Sequence, residues 1–476
     1  MTINQILIVA AAALFWGLVM RERGRLYFLL IASVLVIFWL QPALPLRGFD
    51  FWLPVTTLTI IVFSWYITAA EETRRTKKNW IVLAIVVGVV LLLDLSRFLP
   101  FDSILTASRP PQTEILLLVL VVSGIFFFIT TRLVRFDAAL LSISIIGLIL
   151  VFLAIKVPAF AYWVSYGIRS LTNQSLAQAK VTDLRWLGFS YIAFRIIHTL
   201  RDRQMGRLPA VDLAEYMTYV IFFPAFAAGP IDRIERFIQD LRRTRNKLEN
   251  DDLLFAGQRC VVGLFKKFVV ADALALIALN DINALQVRTA GWTWILLYAY
   301  AFQIYFDFSG YTDIAIGTSR LLGIKLPENF SAPYLKPNLT QFWNNWHITL
   351  TQWFRSYFFN PATRWLRSWK TPLPMPVMIM LTQITTMVLI GFWHGVTWNF
   401  TLWGLWHGLG LFIHNRWSDL TRVRATAWAT TPLRQNILNI GGGLITFHFV
   451  ALGWIFFALS STSVSLYVFL KLFGLR

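Results

Sequence analysis

"WIVLAIVVGVVLLLDLSRFL", residues 80–99, carries its ionisable groups only near one end, and its apolar residues neither alternate nor follow a helical stripe. About 20 such residues wound as a helix span the roughly 30 Å of hydrocarbon in a bilayer. The stretch therefore reads as a membrane-crossing helix. Similar runs lie near 3–20, 26–44, 51–70, 115–131 and 137–155, with more after residue 186. The chain as a whole is 57% hydrophobic and 14% charged, with a mean hydropathy of +0.61, which excludes an ordinary soluble domain. Backbone groups in lipid must be satisfied within the segment, and the absence of period-2 alternation excludes a barrel. The expected fold is an all-α integral membrane protein. It is a polytopic bundle of about ten to twelve transmembrane helices, with re-entrant or broken helices around a central cavity.

The net charge of +19 does not point to nucleic acid, because the basic residues are spread over short loops rather than gathered on one face. Arg21, Arg23 and Arg25 follow the first span; Arg74, Arg75, Lys77 and Lys78 the third; Arg132 and Arg135 the fifth; Arg201, Arg203 and Arg207 a later hairpin. Every second boundary is basic, which places the N-terminus outside by the positive-inside rule. The first span lacks a basic leader and a small-residue cleavage site, so it reads as retained. "DRIERFIQDLRRTRNKLENDD", 232–252, has six basic and six acidic residues with apolar positions at helical spacing, as in a helix at the cytoplasmic face. The single cysteine, Cys260, excludes an internal disulfide framework and reads as a packing residue. With no repeat or long linker, the chain is expected to be one polytopic domain over 1–476.

Texture changes after residue 300, where acids, amides, prolines and aromatics mix in segments too polar to face lipid. Such backbone is tolerated where protein encloses it, so the chemistry is expected between 300 and 415. His394 ends the apolar run 376–393, where an ionisable ring is a functional candidate. His347 lies in "FWNNWHITLTQWF", 342–354, beside Asn344 and Asn345. His407, close to Gly404 and Gly408, reads as packing; His198 and His448 read as hydrogen-bonded structural residues. His414 and Asp419 in "HNRWSD" have a base-and-acid spacing but read as a loop-facing pair. No histidine pair stands one helical turn apart, so no metal is expected. Nucleophile-elbow, phosphate-loop and dinucleotide motifs are absent.

"FDFSGYTDIAIG" (306–317), "LPENFSAPYL" (326–335), "FWNNWHITLTQWFR" (342–355) and "GFWHGVTWNFTLWGLWHG" (391–408) closely resemble blocks of the membrane-bound O-acyltransferase family. The nearer likeness is to its bacterial branch of alginate O-acetyltransferases and teichoic-acid D-alanyl transferases. "YVIFFPAFAAGPIDR" (219–233) resembles a further block, and the likeness covers roughly 185–415, which implies a catalytic core over 185–415 between N-terminal helices in 1–180 and C-terminal helices in 416–476. The resemblance implies that His394 is the family's essential histidine and His347 its second functional one. Asn345 and Ser356 depart from the pattern, standing where relatives often carry a basic and an acidic residue. The expected activity is transfer of an acyl group, most simply acetyl, from a cytoplasmic thioester to hydroxyls of a cell-surface polysaccharide. The donor is acyl-CoA or an acyl-carrier protein, with no bound cofactor. His394 is the expected general base, since an imidazole, with an ordinary pKa near 6.5, suits a proton acceptor at neutral pH. Trp343, Trp346, Asn344, Asn345, Trp393 and Asn399 are the expected substrate-binding residues, some of them as oxyanion donors. The expected setting is a multi-pass protein of the bacterial inner membrane, in contact with lipid and with an extracytoplasmic partner acyltransferase. The alternatives are D-alanyl transfer to teichoic acid, or a non-catalytic conduit handing acyl groups to that partner.

Overall fold

A computed structural model describes residues 2–19, 24–99, 105–133, 137–243 and 248–475. Arg21, Arg23 and Arg135, on which the orientation argument partly rests, lie outside these residues, as do 244–247 of the charged segment and the side chain of Arg132. Among the described residues every regular element is helical and there are no strands. The chain is an all-helical integral membrane protein.

The expected early spans appear as the helices Ile3–Val19, Arg25–Trp39, Phe49–Thr68, Lys77–Leu95, Thr113–Leu133 and Ala138–Lys156. Across the described residues six helices are both long and apolar enough to cross a membrane: four of these, together with Met375–His394 and Pro432–Ala458. The expected ten to twelve is not reached on that measure: Ile3–Val19 and Thr462–Leu472 are apolar but shorter, and Ala290–Leu321 and Trp398–Trp428 are longer but more polar.

The chain divides into two compact units. The first holds residues 1–258 and 315–326. At its centre the short helix Leu213–Val220, buried at all eight positions, packs against Arg25–Trp39 and Phe49–Thr68. Its start is set by the sequence: the Asp212 carboxylate accepts from the Glu215 N–H while the Glu215 carboxylate accepts from the Asp212 N–H. The charged segment forms the helix Ile234–Arg242, and its buried Ile234, Phe237, Ile238 and Leu241 fall on one stripe at helical spacing.

The second unit holds residues 259–314 and 327–476. Its helices Met375–His394 and Trp398–Trp428 are antiparallel and joined only by Gly395–Thr397. Glycine permits this closeness: a Cβ on Gly391 would stand 2.3 Å from the Phe400 carbonyl oxygen, and one on Gly404 2.6 Å from the Val388 Cα. Ahead of this hairpin the backbone is broken, as expected, into Leu339–Asn345, Ile348–Phe354, a π-turn at Arg355–Phe359 and Asn360–Arg367.

Candidate active site

The hairpin of the second unit ends its first helix at His394, half-buried and ringed by aromatic side chains. Its imidazole lies 4.5 Å from the Trp393 ring, 4.7 Å from Phe457, 5.7 Å from Trp403 and 5.8 Å from Phe400, centroid to centroid. Trp393 in turn lies 6.0 Å from the imidazole of His347. One indole thus touches both of the expected catalytic histidines.

His347 joins two short helices with φ 42° and ψ 54°, a left-handed conformation that costs energy for any residue bearing a side chain. It is 3% exposed. Backbone bonds from Ile348 N–H to the Asn329 carbonyl at 3.0 Å, and from Ser331 N–H to the Asn345 carbonyl at 3.1 Å, hold the junction against residues 329–331. The Asn329 Oδ1 then accepts from the Thr349 N–H at 3.3 Å and the Thr349 hydroxyl at 2.9 Å. An N–H can only donate, so this amide atom is an oxygen, and the His347 Nδ1 at 3.1 Å from it must carry the ring proton. His347 is therefore held as the tautomer whose lone pair is at Nε2, and that atom is buried with no hydrogen-bond partner in the protein. Phe308, at 4.8 Å, closes another side of the ring.

The other expected residues divide sharply. Trp343 and Asn344 line a cavity of about 200 Å³ whose walls also include Phe354, Arg355, Gln383 and Met387. Arg355, on the π-turn, donates to the Asn344 Oδ1 at 2.6 Å, and the Gln383 Oε1 is buried with no hydrogen-bond partner. Trp346 instead packs among Phe330, Tyr334, Phe342 and Trp454. Asn345 spends its amide N–H on the Gln341 carbonyl at 2.8 Å. Asn399 leaves the set of substrate-binding candidates. Its amide donates to the Leu459 carbonyl at 2.6 Å and to Ser465 at 3.1 Å and accepts from Thr462 at 2.7 Å, so it pins one helix to the next.

His407 is fully buried, its ring 5.0 to 5.1 Å from those of Trp403 and Trp343. The His448 Nδ1 donates to the Leu444 carbonyl at 2.7 Å, while its Nε2 lies 2.9 Å from the Tyr298 hydroxyl. Asp419 pairs with Arg416 at 2.8 Å, while His414 lies 3.4 Å from the Thr340 hydroxyl. Among the described residues, the one set of three acidic or histidine side chains with converging ligand atoms is His198, Asp202 and Glu235, in the first unit. Sequence reasoning missed Asn329, Gln383 and Arg355, although the first lies inside the "LPENFSAPYL" block and the last closes "FWNNWHITLTQWFR".

Residues 138–462 match the membrane-bound O-acyltransferase family. A teichoic acid D-alanyltransferase from Streptococcus thermophilus is 32% identical over 285 residues, covering 58% of this chain and 68% of that protein. A probable alginate O-acetylase from Azotobacter vinelandii is 32% identical over 294 residues, or 60% and 54% of the two chains. A peptidoglycan O-acetyltransferase from Helicobacter pylori is 34% identical over 263 residues, or 55% and 47%. The matched region spans about half the length of the last two relatives.

Proposed function

The chain belongs to the membrane-bound O-acyltransferase family, and from that premise we propose that it transfers an acetyl group from a cytoplasmic thioester to hydroxyls of a cell-surface polysaccharide, with His394 as base. As the acceptor oxygen attacks the thioester carbonyl, the new C–O bond forms and the hydroxyl proton passes to the imidazole. The C–S bond then breaks and the departing thiolate takes that proton, leaving the histidine neutral. His347, presenting a fixed lone pair at Nε2, accepts a hydrogen bond from the substrate and orients it beside His394. The carrying observation is the pair of imidazoles on either side of Trp393, one half-exposed at a helix end and one locked in a single tautomer. The cavity at Trp343 and Asn344 has the size and mixed lining suited to the amide-bearing arm of a CoA or carrier-protein thioester. The relatives are named for alginate, peptidoglycan or teichoic acid, which supports a polymeric cell-surface acceptor; an inner-membrane location and an extracytoplasmic partner belong to the same proposal.

The test is purified protein in lipid given labelled acetyl and D-alanyl thioesters. Acetyl transfer is expected, reduced about 10²- to 10⁴-fold in His394→Ala at equal abundance. Unchanged transfer in that variant would remove His394 from the mechanism. D-alanyl transfer is the second reading, supported by the Streptococcus thermophilus relative, whose length is matched more fully than that of the O-acetylating relatives. Transfer of D-alanine without acetate would establish it and leave the role of His394 intact.

A further inference from the structure

The cavity beside Trp343 follows one face of the helix Met375–His394. Its wall on that helix is made of Gln383, Thr386, Met387 and Ile390, and the next position of the same helical stripe is His394. Facing them, Leu411 and Asn415 come one turn apart from the second helix of the hairpin, and Thr340, Trp343 and Asn344 from the helix Leu339–Asn345. Asn344 and Arg355 are exposed, whereas Ile390 is buried one turn before His394, so the space deepens toward the proposed base.

Inside that space one donor and one acceptor are unused. Trp343 is 5% exposed and its indole N–H is buried without a hydrogen-bond partner; the Gln383 Oε1 is buried without one as well. The other polar side chains of the wall bond within the protein: Thr340 to Asn415, Arg355 to Asn344, Thr386 to the Thr382 carbonyl and Thr351 to the Trp346 carbonyl. A buried donor and a buried acceptor on one cavity suit a ligand that offers both complements. A secondary amide does so, its N–H donating to the Gln383 Oε1 and its C=O accepting from the Trp343 Nε1. The arm of a CoA or carrier-protein thioester carries two such amides, at different distances from the sulfur. Building on the acyl-transfer reading above, we propose that Gln383 and Trp343 recognise the amide farther from the sulfur and so select donors that carry it. The axial rise from Gln383 to His394 is about 16 Å along this helix. That is too far for the amide next to a thioester held at the imidazole, and it favours the outer one. Hydropathy passes over the pair, because Gln383 stands alone in an apolar run and its complement lies on another helix.

The test reads binding separately from chemistry. Full-length protein in lipid nanodiscs is titrated with pantetheine, which has both amides, and with N-acetylcysteamine, which keeps only the amide next to the sulfur. Wild type should bind pantetheine the more tightly. Gln383→Met, which keeps the length of the side chain and removes its acceptor, should weaken pantetheine binding roughly 5- to 150-fold without weakening that of N-acetylcysteamine. Trp343→Phe, which keeps a ring and removes the N–H, should act in the same direction. Melting curves matching wild type separate lost recognition from lost fold, and the S-acetyl derivatives of the two thiols should show the same difference in KM. Equal affinity of wild type for both thiols, an equal loss for both in Gln383→Met, or no loss there would overturn the amide site. The expected binding pattern without any acetyl transfer would uphold the site and count instead against the reaction proposed above.

Discussion

Asn329 does for His347 what no residue adjacent to it in sequence does: one oxygen fixes the ring tautomer and anchors the first turn of the next helix through Thr349. Asn329→Ala should therefore lower turnover while leaving His394 untouched. A buried donor left without its acceptor costs about 1–3 kcal/mol, equivalent to roughly 5- to 150-fold. Asn329→Asp, which keeps an acceptor at that place, should recover most of the loss. Transfer rates for the two variants at matched abundance check this, and an Ala variant as fast as wild type would detach Asn329 from catalysis. The histidine was legible in the sequence as a polar ring among aromatics. Its partner was not, because the two are 18 residues apart and joined through irregular backbone with no period to read. Asn399 shows the opposite error. An amide five residues after a catalytic candidate reads as a donor to the reaction, while the groups that occupy it, Leu459, Thr462 and Ser465, are about 60 residues away.

At the scale of elements, the hairpin carrying His394 depends on how closely its two helices approach. Gly404 lies against backbone, with the Val388 Cα, Val388 N and Met387 carbonyl oxygen all within 2.8 Å of where a Cβ would stand. Backbone cannot rotate away as a side chain can, so Gly404→Val should force the helices apart. The expected cost is about 1–3 kcal/mol from overpacking, with acyl transfer lost as His394 shifts. Gly441→Ala is the control, since nothing lies within 4 Å of its position; there the change should be neutral or slightly stabilising. Melting curves in detergent and transfer assays on both variants distinguish the two outcomes. The apolar run 376–393 announced the first of these helices almost to its observed limits, Met375–His394. Hydropathy, however, could not foretell the π-turn Arg355–Phe359, which arises where local backbone is adjusted and which brings Arg355 to Asn344.

For the whole molecule, orientation follows from charge. Asn250, at the start of the helix Asn250–Phe265, should be cytoplasmic, so a cysteine placed there in a chain lacking Cys260 should resist an impermeant thiol reagent in intact cells and react once the membrane is opened. Labelling in intact cells would invert the assigned topology. The six membrane-length helices differ greatly in what surrounds them. The Phe49–Thr68 window is 61% buried within the protein, the Thr113–Thr130 window only 6%. Lipid tails ask of a side chain only that it be apolar; a protein neighbour asks for a shape. Along Thr113–Thr130 one apolar letter can therefore replace another with little physical penalty, and the order of the letters is almost free to drift. Ancestry is written elsewhere, in the positions where the chain meets itself.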